Sequence, residues 1–115
     1  MKSPTEYCRR AVLIDGCRIP FLRAGTGYRD LMSYDLARIA IKALVTRTRI
    51  EPDTIDRVIM GCVIANLATT NVAREAALGA GLPSKIPAFT VTLACVSANV
   101  AITTGADRQH YRAVS

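Results

Sequence analysis

Apolar residues along this chain come in short bursts separated by polar and turn-forming stretches, and the period changes from one burst to the next. Ala11-Val12-Leu13-Ile14 is continuous and closes at Asp15-Gly16, which predicts a strand buried on both faces. Residues 18–30 have no period and carry Pro20, Gly25 and Gly27, so they read as a loop. From Ser33, read as an N-cap, Leu36, Ile39, Ala40, Ala43 and Leu44 recur at helical spacing, with Asp35 near the positive end and Arg38 and Lys42 on another face. This amphipathic helix gives way near Glu51-Pro52-Asp53, and residues 57–64 read as a second buried strand in which Cys62 packs. Asn71 then caps a helix through Ala73, Arg74, Ala76, Ala77 and Leu78, stopped by Gly81-Leu82-Pro83. Residues 88–93 alternate apolar and hydroxyl side chains as a third strand, and Ala94 to Asn99 lead into a third helix running through Ile102 to about Ala106.

The order β-α-β-α-β-α predicts an α/β fold with right-handed crossovers and a mainly parallel sheet. Functional groups are then expected at the carboxyl ends of the strands. A length of 115 residues allows one small domain and excludes two. Hydrophobic residues at 50% and charged residues at 21% have the balance of a globular chain. With no Trp and 5% aromatics, the core must come from Val, Ile, Leu and Ala, which suits helices packed on a parallel sheet.

A formal charge of +6 raises the question of a polyanionic partner: nucleic acid, an anionic membrane face or a phosphate-rich cofactor. Arg9, Arg18, Arg23, Arg29, Arg38, Lys42, Arg47, Arg49 and Arg57 are scattered singly, with only Arg9 and Arg10 adjacent and no interleaved aromatics, so they read as solvated faces and no nucleic-acid partner is expected. Gly25-Thr26-Gly27 is a lone GxG with no third glycine and no immediate helix, which is poor support for nucleotide binding. The first apolar run is too short for a signal-peptide core or a transmembrane segment. Cys8, Cys17, Cys62 and Cys95 include no C-x-x-C pair, so no metal site is expected, and a reduced intracellular compartment is the better assumption.

Cys95 is the residue with the strongest chemical position. Just past a strand and at the start of a helix, a cysteine meets the helix dipole and unpaired backbone N–H groups, which favour the thiolate. Its own N–H can face the oxyanion formed when sulfur attacks a carbonyl. The competing reading from position alone is an inert, packed cysteine.

Arg18-Ile19-Pro20-Phe21, the run from Asn71 through Arg74 and Gly79 to Pro83, and the run from Thr90 through Cys95 to Asn99 together resemble thiolases. The likeness extends from about Ala11 to Asp107. The Val-Ser-Ala-Asn sequence after Cys95 is similar to the type found in the β-subunit of the fatty-acid oxidation trifunctional complex and its bacterial relatives, and Ile19 stands where Thr is usual. The resemblance implies residues 1–10 as a leader, 11–107 as a partial N-terminal domain of that family and 108–115 as a divergent tail. It implies an acyltransferase that cleaves 3-ketoacyl-CoA to acetyl-CoA and a shortened acyl-CoA, or runs the reverse condensation. Cys95 would be the acyl-carrying nucleophile and its N–H an oxyanion donor. Coenzyme A and acyl-CoA are then substrates, no cofactor is bound tightly, and the full-length form is a homo-oligomer or pairs with thiolase subunits. The compartment is the cytoplasm, or the mitochondrion or peroxisome in a eukaryote. Asn71 and Arg74 match a family motif but are explained by capping and subunit packing.

In such thiolases the activating histidine, a second acid/base cysteine and an asparagine-held water come from a C-terminal half. The chain is therefore expected to be an N-terminal fragment with little or no activity alone, its first strand left with an exposed edge. His110, the only histidine, would lie roughly 22 Å from Cys95 if the third helix reached it. The alternative reading is a non-catalytic remnant that at most associates with thiolase subunits.

Overall fold

The computed structural model describes residues 10–111, with side chains described through Asp107. Most of the expected leader, including Cys8, and residues 112–115 of the tail lie outside the described residues. In chain order the elements are α1 (Ser33–Thr48), a 3-10 turn (Pro52–Thr54), β1 (Val58–Gly61), α2 (Val72–Gly79), β2 (Ala88–Val91) and α3 (Ser97–Tyr111). β1 and β2 form a two-stranded parallel sheet in the register Val58↔Ala88 to Gly61↔Val91. The expected α/β class with a parallel sheet is present.

α2 is the hub. Val72, Ala73, Ala76 and Ala77 are buried, and their small side chains let the helix lie close to the sheet. Leu82 and Ile86, in the connection to β2, complete the cluster, with Ile41 and Val45 of α1 and Ile55, Val58 and Ala88 packed against it. Burying an aliphatic side chain of this size stabilises the fold by about 1.5 to 3 kcal/mol. Gly81, at φ +86°, ends the helix in the left-handed conformation that only glycine takes without strain.

Three expectations change. The N-cap of α1 is Met32, not Ser33, and Asp35 reaches back to accept the Met32 N–H at 3.0 Å. The packed stripe of α1 is shifted: Leu36, Ala40 and Leu44 are half-buried as expected and Ile41 and Val45 meet the core, whereas Ile39 and Ala43 are exposed. Apolar residues nearly encircle this helix, so spacing alone allowed more than one stripe, and the α2 neighbour decided between them.

The third change concerns residues 11–14, which form no strand. Val12, Leu13 and Ile14 are 77, 86 and 87% exposed and join no ladder. A strand exists only where a neighbour supplies the complementary row of N–H and C=O groups, and among the described residues β1 is hydrogen-bonded to β2 alone. The segment is held to α1 instead. Arg47 grips the Asp15 carboxylate through Nε at 3.1 Å and Nη2 at 2.7 Å and also donates to the Gly16 carbonyl, while the Cys17 thiol donates to the Ala40 carbonyl at 3.2 Å.

The Arg47 hydrogen bonds, followed by the Gly16 N–H donated to Asp15, hold the Asp15 carboxyl below its ordinary value. Because the native value is depressed, this clamp is fully present above the unfolded-state value of about 3.9 and is lost as pH falls through the native one. The Gly16 amide resonance should therefore titrate with a midpoint below about 3.9, and Arg47→Gln should move that midpoint up toward it.

Candidate active site

The carboxyl ends of β1 and β2 are tied together before the chain turns. Cys62 N–H donates to the Val91 carbonyl at 3.0 Å, and Thr92 Oγ1 donates to the Cys62 carbonyl at 2.6 Å. Beside these ends opens a cavity of about 250 Å³ whose lining includes Cys62, Thr69, Thr70, Thr90 and Thr92. The Cys62 thiol is turned to the Ile64 carbonyl at 3.1 Å and is half-buried, in keeping with a packing role.

Past Thr92 the backbone reverses in a tight turn, with Val96 N–H donating to the Leu93 carbonyl at 3.1 Å and Ser97 N–H to the Ala94 carbonyl at 3.2 Å. Ala94 sits at φ +43°, a left-handed conformation that costs a residue with a Cβ roughly 1 to 2 kcal/mol. Strain of this kind persists only where the surroundings hold it. Ser97 does so: its Oγ accepts the Leu93 N–H at 2.8 Å and donates to the Ala94 carbonyl at 2.7 Å. At 3% exposure it is the one buried polar residue among those described.

Cys95 lies on this turn with an exposed, free thiol. The first turn of α3 is anchored by Val100 N–H to the Val96 carbonyl, so Val96 is the N-cap and Cys95 precedes it by one residue instead of opening the helix. Among the described residues the Cys95 thiol is free, and an isolated parallel bridge pairs Cys95 with Leu93 across the turn. The geometry can present a sulfur nucleophile and an adjacent N–H donor to one carbonyl group.

Other sequence candidates separate from this turn. α3 continues to Tyr111, which puts the His110 backbone about 20 Å along the helix axis from Ser97. Asn71 caps α2 by accepting Arg74 N–H at 3.2 Å, and its Nδ2 donates to the Ala88 carbonyl at 3.0 Å while Oδ1 accepts from Thr90 Oγ1 at 3.0 Å. Arg74 donates to the carbonyls of Ile86 at 2.8 Å and Ser84 at 2.9 Å. Both residues fasten α2 to the segment entering β2. No group of three or more His, Cys, Asp or Glu among the described residues could hold a metal ion, and no described helix is long and apolar enough to cross a membrane.

Two residues of the site escaped sequence reasoning. One is Ser97, whose signal was a hydroxyl two positions after the candidate cysteine at a helix start, where it can back-bond. The other is Gly61: a Cβ there would press on the Ser97 carbonyl carbon and stand 2.5 Å from Ala98 N and 2.6 Å from Ser97 O. Nothing in the local pattern of β1 announces that approach.

Residues 11–111 match the family described as thiolase, N-terminal domain. The chain is 56% identical over 97 residues to human "Trifunctional enzyme subunit beta, mitochondrial", covering 84% of this chain and 20% of that protein. It is 56% identical over 94 residues to "Probable 3-ketoacyl-CoA thiolase" of Caenorhabditis elegans, covering 82% and 21%. A solved structure, the Bacillus anthracis acetyl-CoA acetyltransferase, aligns with a TM-score of 0.67 at 33% identity over 71% of this chain and 21% of that one. The chain thus spans about a fifth of the length of the curated relatives it matches. The family match takes in both strands and all three helices of the described residues and the turn that carries Cys95, and on that ground the chain belongs to the thiolase family, within its N-terminal domain.

Proposed function

We propose that this chain carries the acyl-accepting site of a thiolase-type acyltransferase, with Cys95 as nucleophile. The observation behind this reading is the exposed Cys95 thiol on a strained turn braced by Ser97. The Cys95 thiolate would add to the 3-keto carbon of a 3-ketoacyl-CoA, and the Cys95 N–H would donate to the oxygen that takes up negative charge. Breaking the bond between carbons 2 and 3 leaves the acyl group on Sγ. Its electron pair goes to the acetyl-CoA fragment, which takes a proton at carbon 2. Coenzyme A thiolate then attacks the acyl-cysteine, releasing shortened acyl-CoA and the Cys95 thiolate. The same steps reversed condense two acyl-CoAs.

The acid and base for these proton movements are not among the described residues near Cys95. The thiolase resemblance assigns them to a histidine and a second cysteine of a C-terminal half, and general acid-base assistance is typically worth about 10²- to 10⁴-fold in rate. Coenzyme A and acyl-CoA enter as substrates, with no tightly bound cofactor, and thiolase subunits are the proposed partners. The mitochondrial designation of several relatives supports a mitochondrial location.

The test is intact mass after incubation with acetoacetyl-CoA, with Cys95→Ala beside the unmutated chain. An acetyl adduct released by hydroxylamine and absent from Cys95→Ala is expected; folded protein without an adduct would overturn autonomous acylation. The exposed apolar run Val12 to Ile14 favours a second reading, association with thiolase subunits without chemistry. Co-purification with such subunits, with no adduct in the complex, would select it.

A further inference from the structure

We propose that Ser97 is a positioning residue whose hydroxyl aims the Cys95 N–H, and through it sets how well Cys95 accepts an acyl group. The inference rests on the reading of Cys95 as an acyl acceptor. A peptide unit is planar and trans, so the Ala94 carbonyl and the Cys95 N–H are opposite ends of one rigid plane. Whatever fixes the direction of that carbonyl fixes the direction of the N–H.

The Ala94 carbonyl accepts twice from one residue, from Ser97 Oγ at 2.7 Å and from Ser97 N–H at 3.2 Å. The same Oγ accepts the Leu93 N–H at 2.8 Å, so the hydroxyl braces the backbone on both sides of Ala94, the residue held at φ +43°. Donation to a carbonyl also polarises its amide, which strengthens the N–H at the opposite end as a donor. Ser97 is itself seated by the approach of β1: its backbone lies against Gly61, where there is no room for a Cβ. Burial at 3% keeps water from replacing the hydroxyl.

Alkylation and acylation of the same sulfur separate aiming from mere folding. Iodoacetamide alkylates a thiolate by displacement of iodide and develops no oxyanion. p-Nitrophenyl acetate acylates it through attack on the ester carbonyl, with the carbonyl oxygen taking up charge before p-nitrophenolate leaves, so only this reaction uses the N–H. Rates at Cys95 would be followed by peptide mass on the full chain, with Cys17 and Cys62 as internal references. In Ser97→Ala, acylation is expected to fall about 10- to 100-fold, less than the 10²- to 10³-fold for deleting an oxyanion donor outright, because the N–H is misdirected but not removed. Alkylation should change by less than about threefold, and Ser97→Thr, which keeps the hydroxyl, should restore most of the acylation. Equal loss of both rates, or loss of neither, would overturn the proposal.

Should Ser97→Ala fail to fold, adding Ala94→Gly relieves the left-handed strain and supplies a folded background. Acylation in that pair should stay low, and a return to the unmutated rate would show the hydroxyl is not needed. Because p-nitrophenyl acetate contains no coenzyme A, hydroxyl-dependent acylation by the ester without any adduct from acetoacetyl-CoA would retain this inference while removing the thiolase chemistry.

Discussion

Gly61→Ala should lower the stability of the chain by about 3 kcal/mol, toward the upper end of the usual cost of overpacking. The reason is what the new methyl would strike. Its neighbours are Ala98 N at 2.5 Å, Ser97 O at 2.6 Å and the Ser97 carbonyl carbon, all backbone atoms in the first turn of α3. No rotamer change relieves such a clash, so β1 and α3 must move apart. Small domains hold only about 5 to 15 kcal/mol in total, which makes the loss visible as a large drop in the urea midpoint. Gly16→Ala is the matched control, because nothing lies within 4 Å of a Cβ there, and its effect should stay within about 0.5 kcal/mol. Cys95 acylation should fall with Gly61→Ala as well, since the displaced turn includes Ser97. Equal urea midpoints for the two variants would mean that the close approach of β1 to α3 does not exist in solution.

Asn71→Ala should cost about 2 to 3 kcal/mol, more than an ordinary helix cap at about 1 kcal/mol. The amide serves three partners at once: Arg74 N–H at the start of α2, the Ala88 carbonyl in β2 and Thr90 Oγ1. Thr90 Oγ1 in turn accepts the Ala73 N–H at 3.1 Å, so the network continues into the most buried stretch of α2. Removing the side chain leaves half-buried polar groups without partners, which costs more than the net value of the bonds themselves. Asn71→Asp should lie between the unmutated chain and Asn71→Ala. It keeps the acceptor for Arg74 N–H and Thr90 but loses the donor to the Ala88 carbonyl and sets a carboxylate against it. Thermal or urea unfolding of the three proteins gives the order directly. An alanine variant as stable as the unmutated chain would reduce Asn71 to a surface cap.

These two residues differ in how legible they were. Asn71 stood before an apolar-periodic run that ended at Gly81, so its capping role could be read from local chemistry and holds in the fold. Its bonds to Ala88 and Thr90 could not, because they join residues 17 and 19 positions apart. Gly61 looked like one small residue in a buried strand, and its reason for being glycine lies 36 positions away in α3. Cys95 was legible from a strand running into a helix and from the motif around it. The strain at Ala94, the Ser97 brace and the displacement of Cys95 to one residue before the N-cap were not.

The sequence alone determined where the chain bends and stops, which segments are helical, the parallel pairing class and the cysteine to examine. Those properties depend on neighbours within a turn or two: caps, glycines, hydroxyl alternation and a 3.6-residue period. Only the tertiary structure decided which stripe of α1 is packed, whether residues 11–14 find a ladder, and how the turn carrying Cys95 is braced. Each of those depends on what another element brings to the contact. Ile41 and Val45 meet the core because α2 is there, Val12 to Ile14 are unladdered because no described strand pairs with them, and the turn carrying Cys95 is braced by Ser97, whose backbone rests against Gly61. Local periodicity records a residue's preference for burial or for a backbone shape, and it contains no term for the partner that satisfies the preference.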